Sequence, residues 1–294
     1  MTDTSPGHGA GIDPATTVGP VHLTVSDLDR SLAYYGSAIG LGEIERSGSR
    51  ASLGAGGREL VALTEVPGAR PARHHTGLFH FALRVPDRPS LARWLAHAAR
   101  DRVGLTGLSD HFVSEAIYMQ DPDDHGIEIY SDRPREVWEG QVERLTTLPL
   151  DVEDLIGELD DPASEPFEGL PAGTDMGHIH LQVADVPDAI RFYRDLVGFD
   201  LMATYGTQAA FLGAGGYHHH VGANTWNSLG APPPPEGSAA LRSATIVLPT
   251  AEARERALGR LADAGQEPEP HEDGVLVRDP SGNRLLLAVA PAGV

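Results

Sequence analysis

The chain has 294 residues, and 22 Lys and Arg against 42 Asp and Glu give it a formal net charge of −20. The length predicts about two domains. The sequence contains no cysteine, which excludes disulfide frameworks, thiolate nucleophiles and iron–sulfur clusters, so any metal must be held by His, Asp or Glu. The acidic surplus argues against a nucleic-acid partner, because binding to phosphates needs a basic surface.

The amino-terminal segment has the composition of an unstructured tail. Residues 1–18 are rich in Gly, Thr, Ser, Asp and Pro, and they have neither the basic nor the apolar region of a signal peptide. The sequence also has no run of about 18 apolar residues that would cross a bilayer. We therefore expect a disordered tail over residues 1–18, no membrane partner and a cytoplasmic location.

The chain contains an internal repeat. The segment Gly19–Leu28 returns 158 residues later as Gly177–Val186, and an Asp-Pro pair that begins at Asp121 returns at the same distance. A repeat that persists over this length indicates two homologous halves.

The repeat defines the predicted domain boundaries. We predict a first domain over residues 19–132 and a second over residues 177–292. The intervening residues 133–176 mix Pro and acidic residues with one short helical patch, which is typical of a linker that lies on the surface.

The pattern of each half predicts a strand, a helix and then further strands. In the first half, Val21–Val25 alternates with the period of a strand, and Leu28–Tyr35 has apolar residues at helical spacing. A second unit starts with the strand-like Leu78–Val85, continues with a helix over residues 90–101 and ends in the strand Gly126–Tyr130. The predicted architecture is a βαβββ unit used four times.

This tandem of βαβββ units, with a His-bearing first strand and a closing Gly-x-Glu strand, resembles the vicinal oxygen chelate superfamily. That superfamily includes glyoxalase I, extradiol ring-cleaving dioxygenases and antibiotic-resistance proteins, and the resemblance covers about residues 18–292. It implies an α+β fold in which the four units form two cupped mixed sheets. It also implies one divalent metal ion, bound by residues of the first strands and of a last strand.

The resemblance points to His80 and Glu128 as two of the metal ligands. A third His would complete a set of two His and one carboxylate, which leaves positions open for substrate and dioxygen on Fe(II). If the second unit pairs with the third, the third ligand is His180. If the first two units pair, it is His22. We favour His180, because a run of histidines lies on the same unit.

That run, Tyr217-His-His-His220, supplies candidate acid–base residues. As a strand, it would place His218 and His220 on one face and His219 on the other. We expect His218 or His220 to act as the acid–base group.

The segment that leads to Glu128 resembles the extradiol dioxygenase signature, in which a His, a Tyr and a turn with Pro precede the carboxylate ligand. Here these residues are His111, Tyr118 and Pro122. His111 is further from Tyr118 than the signature prefers, so its role is left open. Tyr118 is predicted to be catalytic, since dioxygen chemistry on a catecholate needs a nearby hydrogen-bond donor.

The resulting hypothesis is an Fe(II)-dependent extradiol ring-cleaving dioxygenase that acts on a catechol- or hydroquinone-like aromatic, with dioxygen as second substrate. One alternative is a glyoxalase-like lyase or isomerase that uses Ni(II), Zn(II) or Mn(II), with His218 or His220 as a fourth ligand. Another is a metal-free protein that binds a drug. Assembly into a homo-oligomer is left open.

Overall fold

The computed structural model describes residues 11–291. Residues 1–10 of the predicted tail lie outside these described residues. From residue 11 the chain is packed: the backbone N–H of Ile12 donates to the Gly198 carbonyl oxygen (2.8 Å), and the Ile12 side chain is buried. The approach is close because Gly198 has no Cβ, which would lie 2.8 Å from the Ile12 nitrogen. The ordered chain therefore begins before the predicted boundary at residue 19.

The first half contains two βαβββ units. The first unit consists of β1 (Thr17–Val25), α1 (Leu28–Tyr34) with a π-helical turn (Tyr35–Ile39), β2 (Gly42–Ser47), β3 (Arg50–Ala55) and β4 (Arg58–Glu65). The second consists of β5 (Gly77–Arg84), α2 (Arg88–Asp101), β6 (Leu105–Asp110), β7 (Ser114–Gln120) and β8 (Gly126–Asp132).

The connecting residues 133–174 contain short elements of their own. These are α3 (Arg135–Trp138), a 3₁₀ turn (Val142–Arg144), β9 (Leu148–Pro149) and α4 (Val152–Ile156). Strand β9 pairs with the edge strand β6, and α4 packs beside α2. The segment is therefore folded onto the second unit.

The second half repeats the arrangement. The third unit consists of β10 (Asp175–Gln182), α5 (Val186–Ile190) with a π-helical turn (Arg191–Val197), β11 (Asp200–Tyr205), β12 (Ala209–Gly213) and β13 (Val221–Asn224). The fourth consists of β14 (Leu241–Leu248), α6 (Ala251–Asp263), β15 (Glu269–His271), β16 (Gly274–Arg278) and β17 (Arg284–Val289). None of the helices within residues 11–291 is long and apolar enough to cross a bilayer.

The same local signals start and stop the helices in both halves. Asp27 and Asp185 are the N-caps of α1 and α5, and each side chain accepts a hydrogen bond from a backbone N–H in the first turn. The two π-helical turns end at Gly40 (φ 89°) and Gly198 (φ 103°), in the left-handed region that glycine tolerates best. These matched caps explain why the repeat is visible in the sequence.

The four units combine across the halves into two mixed sheets. Strand β5 pairs antiparallel with β10, which joins the second and third units in a nine-stranded sheet of order β11-β12-β13-β10-β5-β8-β7-β6-β9. Strand β1 pairs antiparallel with β14, which joins the first and fourth units in an eight-stranded sheet of order β15-β16-β17-β14-β1-β4-β3-β2. The predicted α+β fold of four βαβββ units in two cupped sheets is confirmed.

In each half, one buried aspartate in the turn before the last strand is hydrogen-bonded to a tyrosine that follows the first helix. The Asp121 carboxylate accepts hydrogen bonds from the Tyr35 hydroxyl (3.0 Å) and from His125 Nδ1 (2.8 Å). In the second half, Asp279 accepts the equivalent bond from the Tyr193 hydroxyl (3.0 Å). Burial, the largest single influence, opposes ionisation of Asp121, but the hydrogen bond and charge of His125 and the backbone N–H groups of His125 and Asp123 together outweigh it and lower the pKa of the carboxyl.

We expect Asp121→Asn to lower the free energy of unfolding at pH 7 by about 1–3 kcal/mol, because a buried charge-assisted network is broken. A carboxyl whose folded pKa is lowered contributes stability above its unfolded pKa of about 3.9 and loses it as the pH falls through the folded value. The difference in unfolding free energy between wild type and Asp121→Asn should therefore become smaller at acidic pH. Urea unfolding at pH 7 and at about pH 2.5, below the unfolded pKa, measures both effects, and equal stability of variant and wild type at pH 7 would contradict the prediction. Asp279→Asn is the matched control, because burial raises the pKa of Asp279, so its deficit should not shrink in acid in the same way.

Candidate active site

A cavity of about 360 Å³ lies on the concave face of the nine-stranded sheet. It is lined mainly by residues of β5, β6, β7, β8 and β10, so both halves of the chain contribute to it. The ionisable side chains that line it are His80, His111, Tyr118, Glu128, His178, His180 and His219.

Three of these side chains converge on one point. His80 Nε2 lies 3.0 Å from Glu128 Oε2, His178 Nε2 lies 3.2 Å from the same oxygen, and the two nitrogens are 3.3 Å apart. All three residues are buried. Ligands about 2.1 Å from an ion and at right angles to one another lie about 3.0 Å apart. The three atoms therefore fit one face of an octahedral site for a divalent cation.

The strand register explains this convergence. His178 on β10 lies opposite Ala82 on β5, and Ala82 lies beside Glu128 on β8. The small side chain of Ala82 leaves space above β5, where His178 and Glu128 meet. His80 reaches the same space from two residues earlier on β5, because alternate residues of a strand share a face.

The third histidine of the cluster is His178, whereas the sequence analysis favoured His180. His180 lies opposite His80 on β5. Its ring also lies against Gly222, because a Cβ on Gly222 would be only 2.7 Å from that ring. Its ring packs among the rings of Phe79, Phe211 and Trp226, and its buried Nε2 has no hydrogen-bond partner. His180 is therefore part of the cavity wall, outside the three-atom cluster.

The repeat explains why the prediction named His180. His180 matches His22 in the first half, whereas His178 matches Pro20, so an alignment of the halves favours His180. The available signal was the i, i+2 spacing of the two histidines, which puts both on one face of β10. His22, the predicted alternative, lies on β1 in the eight-stranded sheet, where its Nε2 is 2.7 Å from Thr64 Oγ1.

The protonation states suit a cation. Burial lowers the pKa of His178 to about 4, although the Glu128 carboxylate acts in the opposite direction. Burial alone would raise the pKa of Glu128, but the imidazoles of His178 and His80 outweigh it and hold the pKa well below its usual value. At neutral pH the cluster therefore offers a carboxylate beside an unprotonated His178, the forms that bind metal ions.

Tyr118 lies beside the cluster and is held by His111. Tyr118 is opposite Glu128 across β7 and β8, and its hydroxyl is 2.7 Å from His111 Nε2. His111 Nδ1 is 2.7 Å from the Thr146 carbonyl oxygen, which can only accept a hydrogen bond. When His111 is neutral, its Nδ1–H therefore donates to Thr146 and its Nε2 accepts a hydrogen bond from the Tyr118 hydroxyl. Burial, followed by the charge of Glu128, raises the pKa of Tyr118 well above 10, so the hydroxyl stays protonated.

The histidines at 218–220 lie differently from the prediction. The segment is a bend that precedes β13, so the expected alternation of a strand does not apply. His219 lines the cavity, with its ring centre 4.1 Å from that of His178. His218 instead contacts Asp132 (2.9 Å), and His220 Nδ1 accepts the Ala214 N–H (3.1 Å). The cavity-facing residue of this run is thus His219, which the sequence analysis placed on the opposite face from its two candidates.

Apolar side chains form the mouth of the cavity. Phe79 packs edge-on against Trp226, with ring centres 5.1 Å apart, and Phe211 lies further in beside His219. Trp226 is 42% exposed, so it stands between the cavity and solvent. These rings give the mouth an apolar, aromatic lining that suits a flat apolar molecule.

The two halves of the chain match one known family. Residues 17–129 and residues 175–287 each match the family model described as "Glyoxalase/Bleomycin resistance protein/Dioxygenase superfamily". A protein of Bacillus subtilis (strain 168) named catechol-2,3-dioxygenase is 42% identical over 281 residues, which cover 93% of this chain and 97% of that protein.

Solved structures share the fold at low sequence identity. A putative dioxygenase from Bacillus subtilis subsp. subtilis str. 168 superimposes with a TM-score of 0.69 at 13% identity, over 97% of this chain and 87% of that one. Glyoxalase I from Zea mays superimposes with a TM-score of 0.58 at 16% identity, over 93% and 92% of the two chains. At these identities the likeness concerns the fold alone.

Proposed function

Since this chain belongs to the Glyoxalase/Bleomycin resistance protein/Dioxygenase superfamily and is an enzyme of its extradiol dioxygenase type, we propose that it uses Fe(II) to insert dioxygen into the ring of a catechol- or hydroquinone-like aromatic. The superfamily and the kinship with two-domain catechol-2,3-dioxygenases, both predicted from the sequence, are confirmed. The observation that carries the finer proposal is the convergence of His80, His178 and Glu128 within 3.3 Å of one another.

In this proposal, His80, His178 and Glu128 hold the iron. When bound, the ion would supply open positions for the substrate oxygens and dioxygen and would make the substrate hydroxyls more acidic. Two neutral imidazoles and one carboxylate leave net positive charge on the site, which favours a substrate that binds as an anion. A catecholate has this property.

Tyr118 and His219 are the proposed catalytic residues around the substrate. The Tyr118 hydroxyl can turn from His111 to donate a hydrogen bond to an oxygen in the cavity. His219 presents an imidazole to the same space, so it can accept a proton from a substrate hydroxyl. Of the two residues that the sequence analysis favoured, His220 bonds to Ala214 outside the cavity. His218 contacts Asp132 and the cavity residue His219, whose Nδ1 lies 2.8 Å from its own, but it does not itself line the cavity.

The aromatic wall fits a ring-shaped substrate. Phe79, Phe211 and Trp226 can stack against an aromatic ring and exclude water from the reacting atoms. This favours an aromatic over a small polar substrate. The cytoplasmic location remains a prediction.

Anaerobic reconstitution with Fe(II), followed by oxygen uptake on a panel of catechols and hydroquinones, tests the proposal. We expect one dioxygen consumed per substrate and a coloured ring-opened product, and we expect neither from His80→Ala or Glu128→Ala. Ser243→Ala is the matched control, because Ser243 lies opposite His22 in the other sheet and should not affect the reaction. Iron binding without oxygen uptake would favour a lyase or isomerase. Failure to bind any of Fe(II), Mn(II), Ni(II) and Zn(II) would favour a metal-free binding protein.

We expect Tyr118→Phe to lower kcat about 10²-fold with iron content unchanged, because the variant loses a proton donor and keeps the three converging atoms. Steady-state oxygen uptake and metal analysis measure the two effects. The control is Tyr205→Phe, whose side chain is 61% exposed, and it should behave as wild type. Unchanged kcat in Tyr118→Phe would remove the tyrosine from the proposed chemistry.

A further inference from the structure

The eight-stranded sheet has a concave face of its own, which we call the second cup and define by His22, Thr24, Arg50, Thr64, Arg242 and Arg284. It corresponds to the catalytic cavity by the internal repeat, but the metal-binding side chains are absent. Pro20 takes the place of His178, and strand β17 offers Leu286 where β8 offers Glu128. The residues of the second cup therefore do not serve the metal site and need a different explanation.

The register of the strands brings three arginines together in the second cup. Arg50 on β3 lies beside Thr64 on β4, and Thr64 lies beside Thr24 on β1. The guanidinium of Arg242 on β14 contacts the Thr24 hydroxyl (3.4 Å). Arg284 lies on β17, the next strand beyond β14.

Carboxylates neutralise the three arginines only in part. Within residues 11–291, neither Arg50 nor Arg242 has a carboxylate oxygen within 4.0 Å. Arg284 reaches Glu269 only at 4.0 Å, and Glu269 is closer to Arg278 (3.1 Å). The Nε of Arg284 is buried and has no hydrogen-bond partner. Three guanidinium groups thus face one space in a chain whose net charge is −20.

The guanidinium groups of Arg50, Arg242 and Arg284 repel one another. Burial, together with the charges of Arg50 and Arg284, lowers the pKa of Arg242. Burial lowers the pKa of His22 to about 4, and Arg242, Arg50, His271 and Arg284 add to this. Like charges held together lower the stability of the fold, and such locally unfavourable arrangements are typical of binding sites.

Hydroxyl groups complete a set of donors. Thr24 and Thr64 lie side by side at the base of the cup. His22 lies next to them, and its Nε2 is 2.7 Å from the Thr64 hydroxyl. Planar guanidinium groups with adjacent hydroxyls bind the oxygens of carboxylates and phosphates.

We propose that the second cup binds the oxyanion group of a small molecule, a phosphate ester or a carboxylate, through Arg50, Arg242 and Arg284. The site is separate from the catalytic cavity, since it lies on the other sheet. It does not depend on the proposed dioxygenase reaction.

The test is calorimetric titration of the metal-free full chain with inorganic phosphate and, separately, with succinate, at constant ionic strength set with sodium chloride. We expect saturable binding of at least one probe, and the tighter one identifies the ligand class. Arg50→Gln and the double variant Arg242→Gln/Arg284→Gln should each weaken binding about tenfold or more, since each lost guanidinium removes charge-assisted hydrogen bonds.

Two controls locate the binding. Arg256→Gln makes the same charge change on helix α6, where Arg256 is half exposed, and should bind as wild type. Glu128→Gln alters the catalytic cavity and should also bind as wild type. Absence of saturable binding by wild type, or equal binding by Arg50→Gln and wild type, would overturn the proposal. Arg50 is exposed and has no ion pair within the described residues, so its variant is expected to fold.

Discussion

His178→Ala is expected to abolish iron binding and to lower kcat/KM for ring cleavage by at least about 10³-fold, because one of three converging donor atoms is lost. His178 Nε2 lies 3.2 Å from Glu128 and 3.3 Å from His80. Its removal leaves two protein donors for the ion. Iron content after anaerobic reconstitution and steady-state oxygen uptake are the two measurements.

Variants of His180 and His22 test whether either of them, rather than His178, is the third metal ligand. His180→Ala should retain iron and lose activity only moderately, because His180 packs in the wall of the cavity beside Phe79 and Trp226. His22→Ala, in the other sheet, should retain both iron and activity. Loss of iron in His180→Ala, with iron retained in His178→Ala, would return the third position to His180.

His219→Gln is expected to lower kcat about 10²-fold while iron content stays near that of wild type. The reason is geometric: His219 faces the cavity, so its imidazole is the one of the histidine run that can exchange a proton with substrate. His220→Gln is the matched control, because glutamine can still accept the hydrogen bond that Ala214 donates to His220.

The measurement is kcat of both variants, from steady-state kinetics on the best substrate of the panel. A large loss of kcat in His220→Gln with none in His219→Gln would contradict the assignment. It would instead support the prediction from strand alternation, in which His218 and His220 share the face of the acid–base group.

The fold could be predicted because the repeat is carried by local signals. Asp27 and Asp185 cap equivalent helices, and Gly40 and Gly198 end them in the left-handed conformation. Such signals depend on neighbouring residues and survive in the sequence of each half. The pairing of the second unit with the third was also anticipated, from the distribution of the histidines.

The details of the site depend on features that the pattern does not contain. Register irregularities lie between Met176 and His178 and again after His180, and these fix which side chain meets Glu128. The residues before β13 form a bend, so the alternation used for His218–His220 does not apply. Both differences between prediction and structure arise where the chain departs from regular strand geometry.

The segment between the halves contributes to the site in a way that its composition does not reveal. The Thr146 carbonyl oxygen fixes the orientation of His111, which in turn binds Tyr118. Leu145 and Thr147 line the cavity. Composition alone predicted a surface linker, because the Pro and acidic residues give no indication of the contacts of a backbone oxygen.

The pairing of β5 with β10 has a thermodynamic consequence. His80 and Glu128 belong to the first half and His178 to the second, so a metal ion bound by all three bridges the seam between the halves. Any free energy that the ion gains from the third donor is then also free energy of association between the halves. By reciprocity, association of the halves strengthens metal binding by the same factor as the metal strengthens association. A substitution in the β5–β10 seam that separates the halves is therefore expected to weaken metal binding, even when it leaves every donor atom in place.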